Sequence, residues 1–166
     1  MRGVRGSVYV GSIVYLLSMH SPAWAQSPTG QWTSEGARAE IEIYSCGTAG
    51  HDVTNQAQLD KLCGYIADKG PRLCGRVLKI LPKGLAEIQA KGKKPEDVLG
   101  QPTLCVASGT DQTWPWKGGV FNLDDATAYW VRLAPQGADK LKFSACGLGG
   151  WYCPSNGEFV WTKVAN

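Results

Sequence analysis

Six cysteines constrain this chain more than any other feature: Cys46, Cys63, Cys74, Cys105, Cys146 and Cys153. What precedes them sets their chemistry. Arg2 and Arg5 give a basic start, residues 8–17 form an apolar run, His20-Ser21-Pro22 breaks it, and Ala23-Trp24-Ala25 closes the segment. A basic start, a short apolar stretch and a small-x-small triplet are the three parts of a secretory signal peptide. The run is shorter than the about 20 residues that a membrane span needs. The expectation is therefore a leader over residues 1–25 and one exported domain over 26–166, periplasmic or secreted, with no later segment apolar enough to cross a bilayer. An even number of cysteines in such a compartment reads as three disulfides. Zinc would want ligand pairs about two to four residues apart, and no two cysteines here are that close.

One bridge follows from spacing. Cys146 and Cys153 lie symmetrically about Gly149-Gly150, a strong two-residue turn, so a hairpin there sets them opposite each other within bonding reach. The other four cysteines allow three pairings. Cys46 with Cys63 and Cys74 with Cys105 is the favoured one, and Cys63 with Cys74 across a hairpin is its rival.

The remaining pattern is β. Residues 39–44 alternate, with Ile41 and Ile43 on one face. Residues 127–133 put Tyr129, Val131 and Leu133 on one face, and Leu141, Phe143 and Ala145 repeat the theme. Residues 159–164 read as a last strand and 103–106 as a short one, with glycines between the runs as turns. Asp52 is positioned to cap a helix reaching Leu62. Residues 84–99 are a weaker helix, interrupted by Gly92 and Pro95. Leu62-Cys63-Gly64-Tyr65-Ile66 is echoed by Leu73-Cys74-Gly75-Arg76-Val77, which reads as two strands of one hairpin.

Catalytic machinery is thinly supplied. His51 is the single histidine after the leader, which rules out a multi-histidine metal site, and it reads as an exposed loop residue without an evident partner. Glu40 and Glu42 occupy the polar face of a strand, and Asp124-Asp125 reads as a turn. No nucleophile elbow, phosphate loop or dinucleotide fingerprint is present. The chain carries a formal net charge of +3, but Arg2 and Arg5 leave with the leader, and Lys91, Lys93 and Lys94 are followed at once by Glu96 and Asp97. That excludes the basic stripe of a nucleic-acid binder. No cofactor and no metal is expected. Tryptophan is abundant, seven in all with Trp24 in the leader, and indoles serve binding surfaces as well as cores.

Several of these residues also form a pattern. Gly30-Gln31-Trp32 resembles the Gly-x-Trp start of lipocalin-type barrels, and Trp161-Thr162-Lys163 stands where such barrels place a basic residue over that tryptophan. More closely, the chain resembles an uncharacterised family of exported bacterial proteins, domain of unknown function 2147. The shared features are Gly30, Trp32, Cys46, a Leu-Cys-Gly segment (62–64 or 73–75), Trp116-Lys117-Gly118-Gly119, Phe121, Tyr129, Cys146, Cys153 and Trp161-Thr162. Asn122-Leu123, Ala126 and Lys163 depart from the family pattern, and residues 85–111 form an insertion without a counterpart. The resemblance implies a small β-barrel outside the cytoplasm and assigns no activity. It gives Gly30, Trp32, Trp161 and Lys163 structural roles.

The expected fold is all-β: a small antiparallel lipocalin-like barrel of about eight strands, with one or two short helices and disulfide bonds. The expected function is non-enzymatic binding of a small apolar or amphipathic ligand by the barrel interior or mouth, with Ile41, Ile43, Trp116, Tyr129, Val131, Leu141, Phe143 and Trp151 as candidates. A second reading is a protein-interaction or envelope-stress module with a filled barrel. A third is a hydrolase, which needs carboxylates converging in a pocket. Mass spectrometry of the native protein tests the export reading: the mature chain begins at Gln26, and a chain that keeps Trp24 contradicts it.

Overall fold

The computed structural model describes residues 27–165 except 52, 124, 148, 149, 151, 155 and 156. The leader and Asp52, Asp124, Gly149 and Trp151 therefore lie outside the described residues. Eight strands run in chain order as a closed antiparallel meander. They are β1 (Gly30–Thr33), β2 (Ala39–Ser45), β3 (Arg72–Ile80), β4 (Pro102–Ser108), β5 (Trp116–Asn122), β6 (Thr127–Gln136), β7 (Lys140–Cys146) and β8 (Glu158–Lys163). The expected barrel is the observed one. Among the described residues, no helix is long and apolar enough to cross a membrane.

Period-two alternation becomes an inside and an outside. Trp32, Ile41, Ile43, Leu73, Val77, Leu104, Val106, Val131, Leu133, Leu141, Phe143 and Trp161 are buried in one interior cluster. Outside, polar residues pair across strands. Glu42 stands opposite Arg76 and meets its Nε at 3.0 Å, and Glu40 meets Lys79 at 3.3 Å. These carboxylates are committed to ion pairs on the outer wall.

Closure is short. Only Trp32↔Lys163 and Thr33↔Thr162 are in register between β1 and β8, and Val164 N donates to Gln31 O at 2.9 Å. Trp32 compensates. Its indole is 3% exposed, and its Nε1 donates to Pro28 O at 2.8 Å. The Lys163 ammonium lies 5.6 Å from the centre of its ring.

Two helices sit against the barrel. α1 (Gln56–Cys63) is capped by Asn55, whose side chain accepts from Gln58 N at 3.0 Å. This corrects the expected start at Asp52: an Asx cap must stand beside the first turn, and Asn55 does. The Leu62–Ile66 string is also not a strand. It is the end of α1 and the turn after it, whereas its echo at 73–77 is in β3. α1 lies on the outer face of β4 and β5, where Gly119 makes room: a Cβ there would stand 2.6 Å from the Leu62 carbonyl oxygen. α2 (Pro82–Ala90) ends just before Gly92, which has a left-handed φ of 66°.

The disulfides are Cys46–Cys74, Cys63–Cys105 and Cys146–Cys153. The last is the one that spacing specifies, next to the Gly147↔Tyr152 bridge. The other two overturn both the favoured pairing and its rival. Cys74 and Cys105 are register partners on the outer face of β3 and β4, yet each bonds away from the other. Cys46, just past the end of β2, reaches Cys74. The placement of α1 over β4 brings Cys63 to Cys105 rather than to Cys46. In the chain-entropy account, loops of 28 and 42 residues are each worth about 3.5–4 kcal/mol. The sulfurs of Cys46, Cys74 and Cys105 lie within 4.8 Å of one another because the two bridges are neighbours, and bonded sulfur offers a metal no thiolate.

If Trp32 carries the closure, Trp32→Ala loses about 3–5 kcal/mol and Lys163→Ala less than about 1 kcal/mol, the value of an exposed cation–π contact. Thermal melts check this. A Trp32→Ala protein that melts like wild type contradicts it.

Candidate functional site

Because the barrel is a meander, the β1–β2, β3–β4, β5–β6 and β7–β8 connections gather at one end. The longest, residues 81–101, carries α2 and a 3-10 turn (Pro95–Asp97). α2 docks through Gly84, where a Cβ would stand 2.1 Å from the Arg38 carbonyl oxygen. Arg38 Nε then pairs with Glu87 at 3.0 Å, and Lys93 Nζ donates to Leu123 O at 2.9 Å. The connection is thereby strapped to both neighbouring loops.

Beneath it lies a cavity of about 430 Å³. Its walls are apolar: Ile41, Ile80, Val98, Val120, Phe159 and Trp161 line it, and Ile88 of α2 lines it from the strap side. Charged side chains at its edge come from Glu35, Arg38, Glu87, Lys91 and Lys93. The opposite half of the barrel is filled by Ile43, Leu73, Val106, Trp116, Val131, Leu133, Leu141 and Phe143. A ring stack separates the two halves. Phe143 lies 5.2 Å from Phe159 at 7° and 4.1 Å from Trp161 at 37°. Phe159 and Trp161 also line the cavity, and Phe143 backs them from the filled side.

The sequence candidates divide accordingly. Ile41 and Tyr129 line the cavity, and so does Trp161, expected only as structural. Ile43, Trp116, Val131, Leu141 and Phe143 belong to the filled half, so they support the cavity without forming its described walls. Trp151 lies outside the described residues. The segment 114–116 sits at the end away from the cavity. Trp114 there is a packing element on the outer wall, with Arg132 4.5 Å and Lys142 5.3 Å from its ring centre. A second depression, about 350 Å³, lies on that outer wall between Lys117, Trp130, Arg132 and the Cys146–Cys153 bridge. Lys117 there is paired with Asp111 at 2.9 Å.

Sequence periodicity missed Thr103. The β3–β4 register places Gly75 opposite Leu104 but Arg76 opposite Pro102. One residue of β4 is extra, and that residue is Thr103. A bulge of this kind resets which face each side chain takes. Leu104 points into the core and Cys105 out to Cys63, while Thr103 lines the cavity and is 4% exposed. No sequence signal marks the bulge.

His51 is not the unpartnered loop residue expected. Its ring stacks on Tyr44, centres 4.4 Å apart, and its Nε2 lies 3.4 Å from Glu42 Oε1. It belongs to the outer wall, away from the cavity lining.

With the geometry in view, comparison adds no relative: the chain matches no protein-family model, no curated protein and no solved structure.

At the cavity edge, the Tyr129 hydroxyl donates to Asp125 Oδ2 at 2.6 Å. This hydrogen bond, with the nearby negative charge, raises the phenol above its ordinary value of 10.0 and lowers the carboxyl below 3.8. Both shifts favour the pair of neutral phenol and charged carboxylate, so the bond holds from above the Asp125 transition up to the Tyr129 one. NMR titration of Tyr129 in the wild type therefore gives a midpoint above 10.0. Asp125→Asn moves it back toward the ordinary value, and an unmoved midpoint contradicts the assignment.

Proposed function

We propose that this protein is an exported binding module that holds a small apolar or amphipathic ligand in the cavity beneath the α2 strap. The observation that carries the reading is the half-filled barrel. An eight-stranded barrel is just wide enough to be filled by side chains or to hold one small ligand, and this one does the first at one end and leaves about 430 Å³ at the other. Pockets of this size, largely apolar with a few polar groups, suit small ligands. An extracytoplasmic location is supported by the three disulfides, which persist in oxidising compartments. Kinship with the exported family described above remains part of this proposal, supported by the motif order and by the barrel.

A non-enzymatic role is supported by how the acidic groups are used. Glu40 and Glu42 face Lys79 and Arg76 on the outer wall, and Glu87 at the cavity edge faces Arg38. The filled-barrel alternative expects an exposed aromatic patch, and of the exposed large apolar side chains among the described residues, Leu78, Leu99, Tyr152 and Val160, one is aromatic.

Fluorescence titration with phenylnaphthylamine, an apolar probe, tests the reading. Wild type binds with micromolar affinity, about −8 kcal/mol. Ile88→Asp places a charge in the cavity wall from α2, outside the sheet, so the melt stays near wild type while affinity falls by at least about tenfold, or about 1.4 kcal/mol. No binding by wild type, or equal binding by the variant, overturns the proposal.

A further inference from the structure

Two of the three bridges share one patch of the outer wall. Cys74 on β3 and Cys105 on β4 stand directly opposite each other, and they are 1% and 0% exposed. Each is bonded to a residue from outside that pair: Cys46 and Cys63, both only partly buried. The sulfurs of Cys46, Cys74 and Cys105 lie within 4.8 Å of one another. Directly opposite residues of an antiparallel pair have Cα atoms about 4.5–5.5 Å apart, inside the range of about 4.4–6.8 Å that disulfides span. Cys74–Cys105 is therefore a further bridge that the same strands can hold without a change of register.

We propose that this patch is a thiol–disulfide exchange site that responds to a dithiol reductant. A thiolate of the dithiol attacks Cys46 Sγ, which forms a mixed disulfide and breaks the bond to Cys74. The electron pair passes to Cys74 Sγ, which attacks Cys105 Sγ. The Cys74–Cys105 bond forms, the Cys63–Cys105 bond breaks, and the electron pair leaves on Cys63 Sγ, which takes a proton. The second thiol of the reductant then closes on the mixed disulfide and releases Cys46 as a thiol. The dithiol is oxidised to its disulfide, and the protein gains two electrons and two protons as two bridges become one. Burial drives the inner step, because negative charge costs less on partly exposed Cys63 than on Cys74 in its apolar cluster. Attack at Cys63 reaches the same product through Cys105. Segment 46–63, pinned by a bridge at each end, thus loses both pins in one reduction while β3 and β4 stay joined. α1 is then held by the close approach of Leu62 to Gly119 and by Gln58, whose Nε2 donates to Pro102 O at 2.6 Å.

The test is limited reduction with dithiothreitol, followed by acid quenching, alkylation and peptide mapping. Among molecules that have lost one of the two wall bridges, label falls on Cys46 and Cys63 together, and the Cys74 and Cys105 peptides are joined. Any other pair of labelled residues, Cys46 with Cys74 or Cys63 with Cys105 above all, overturns the proposal. Cys63→Ser supplies a second measurement that needs no reductant. It leaves Cys105 without its partner, so the Cys105 thiolate attacks Cys74 and the free thiol moves to Cys46. Label that stays on Cys105 in this variant overturns the exchange as well.

Discussion

Everything in this molecule depends on closing the sheet between its shortest strand and its last. β1 has four residues, Gly30–Thr33, and meets β8 through two register pairs. Ladder hydrogen bonds alone are too few to define the seam. Trp32 makes up the difference, with its ring in the interior cluster and its Nε1–H satisfied by Pro28. A large side chain that is fully buried and fully hydrogen-bonded gives the seam one geometry rather than several. Once the sheet is closed it has no free edge, and inward alternation on every strand becomes burial.

What the closed barrel encloses follows from side-chain size along each strand. On β2 the inward residues run Ile43, Ile41, Ala39 toward the strap, and on β7 they run Leu141, Phe143, Ala145. Both series end in alanine, and both alanines line the cavity. Bulk at one end and small residues at the other leave a space that the Phe143–Phe159–Trp161 stack keeps from collapsing. Close packing in the filled half is therefore what keeps the other half open: the stacked rings cannot shift toward the cavity without opening a void behind them.

Much of this was legible in the sequence, and the failures have physical causes. Strands with strict alternation, such as 39–44 and 127–133, are read correctly because period two has one meaning on a half-buried sheet. Cys146 and Cys153 are read correctly because their turn is local. The strings Leu62-Cys63-Gly64 and Leu73-Cys74-Gly75 look alike and yet become a helix end and a strand, since three residues carry no period. The pairing of Cys46 and Cys63 depends on which strands α1 covers. That is decided by Gly119, whose lack of a side chain admits the Leu62 backbone. Thr103 was invisible because a single extra residue inverts the alternation on which the reading rests. Tryptophan abundance misled in the opposite direction: Trp32 seals the seam and Trp114 covers the outer wall, leaving Trp161 as the described indole that lines the cavity.

The covalent and non-covalent parts of the structure are also divided by position. Cys46–Cys74 and Cys63–Cys105 brace β2, β3, β4 and α1, and Cys146–Cys153 braces the hairpin after β7. No cysteine occurs between Cys74 and Cys105, so the strap over 81–101 has no covalent tie. It is held by Val98 in the core cluster with Ile88 packed against it, by backbone bonds from Leu81 N to Arg38 O and from Gly100 N to Val77 O, by the fit of Gly84 on the Arg38 carbonyl, by the half-exposed Arg38–Glu87 pair, and by Lys93 on Leu123 O. Exposed ion pairs contribute little, so packing and backbone bonds carry most of the attachment. The wall is thus braced covalently, while the strap is fixed by packing and hydrogen bonds.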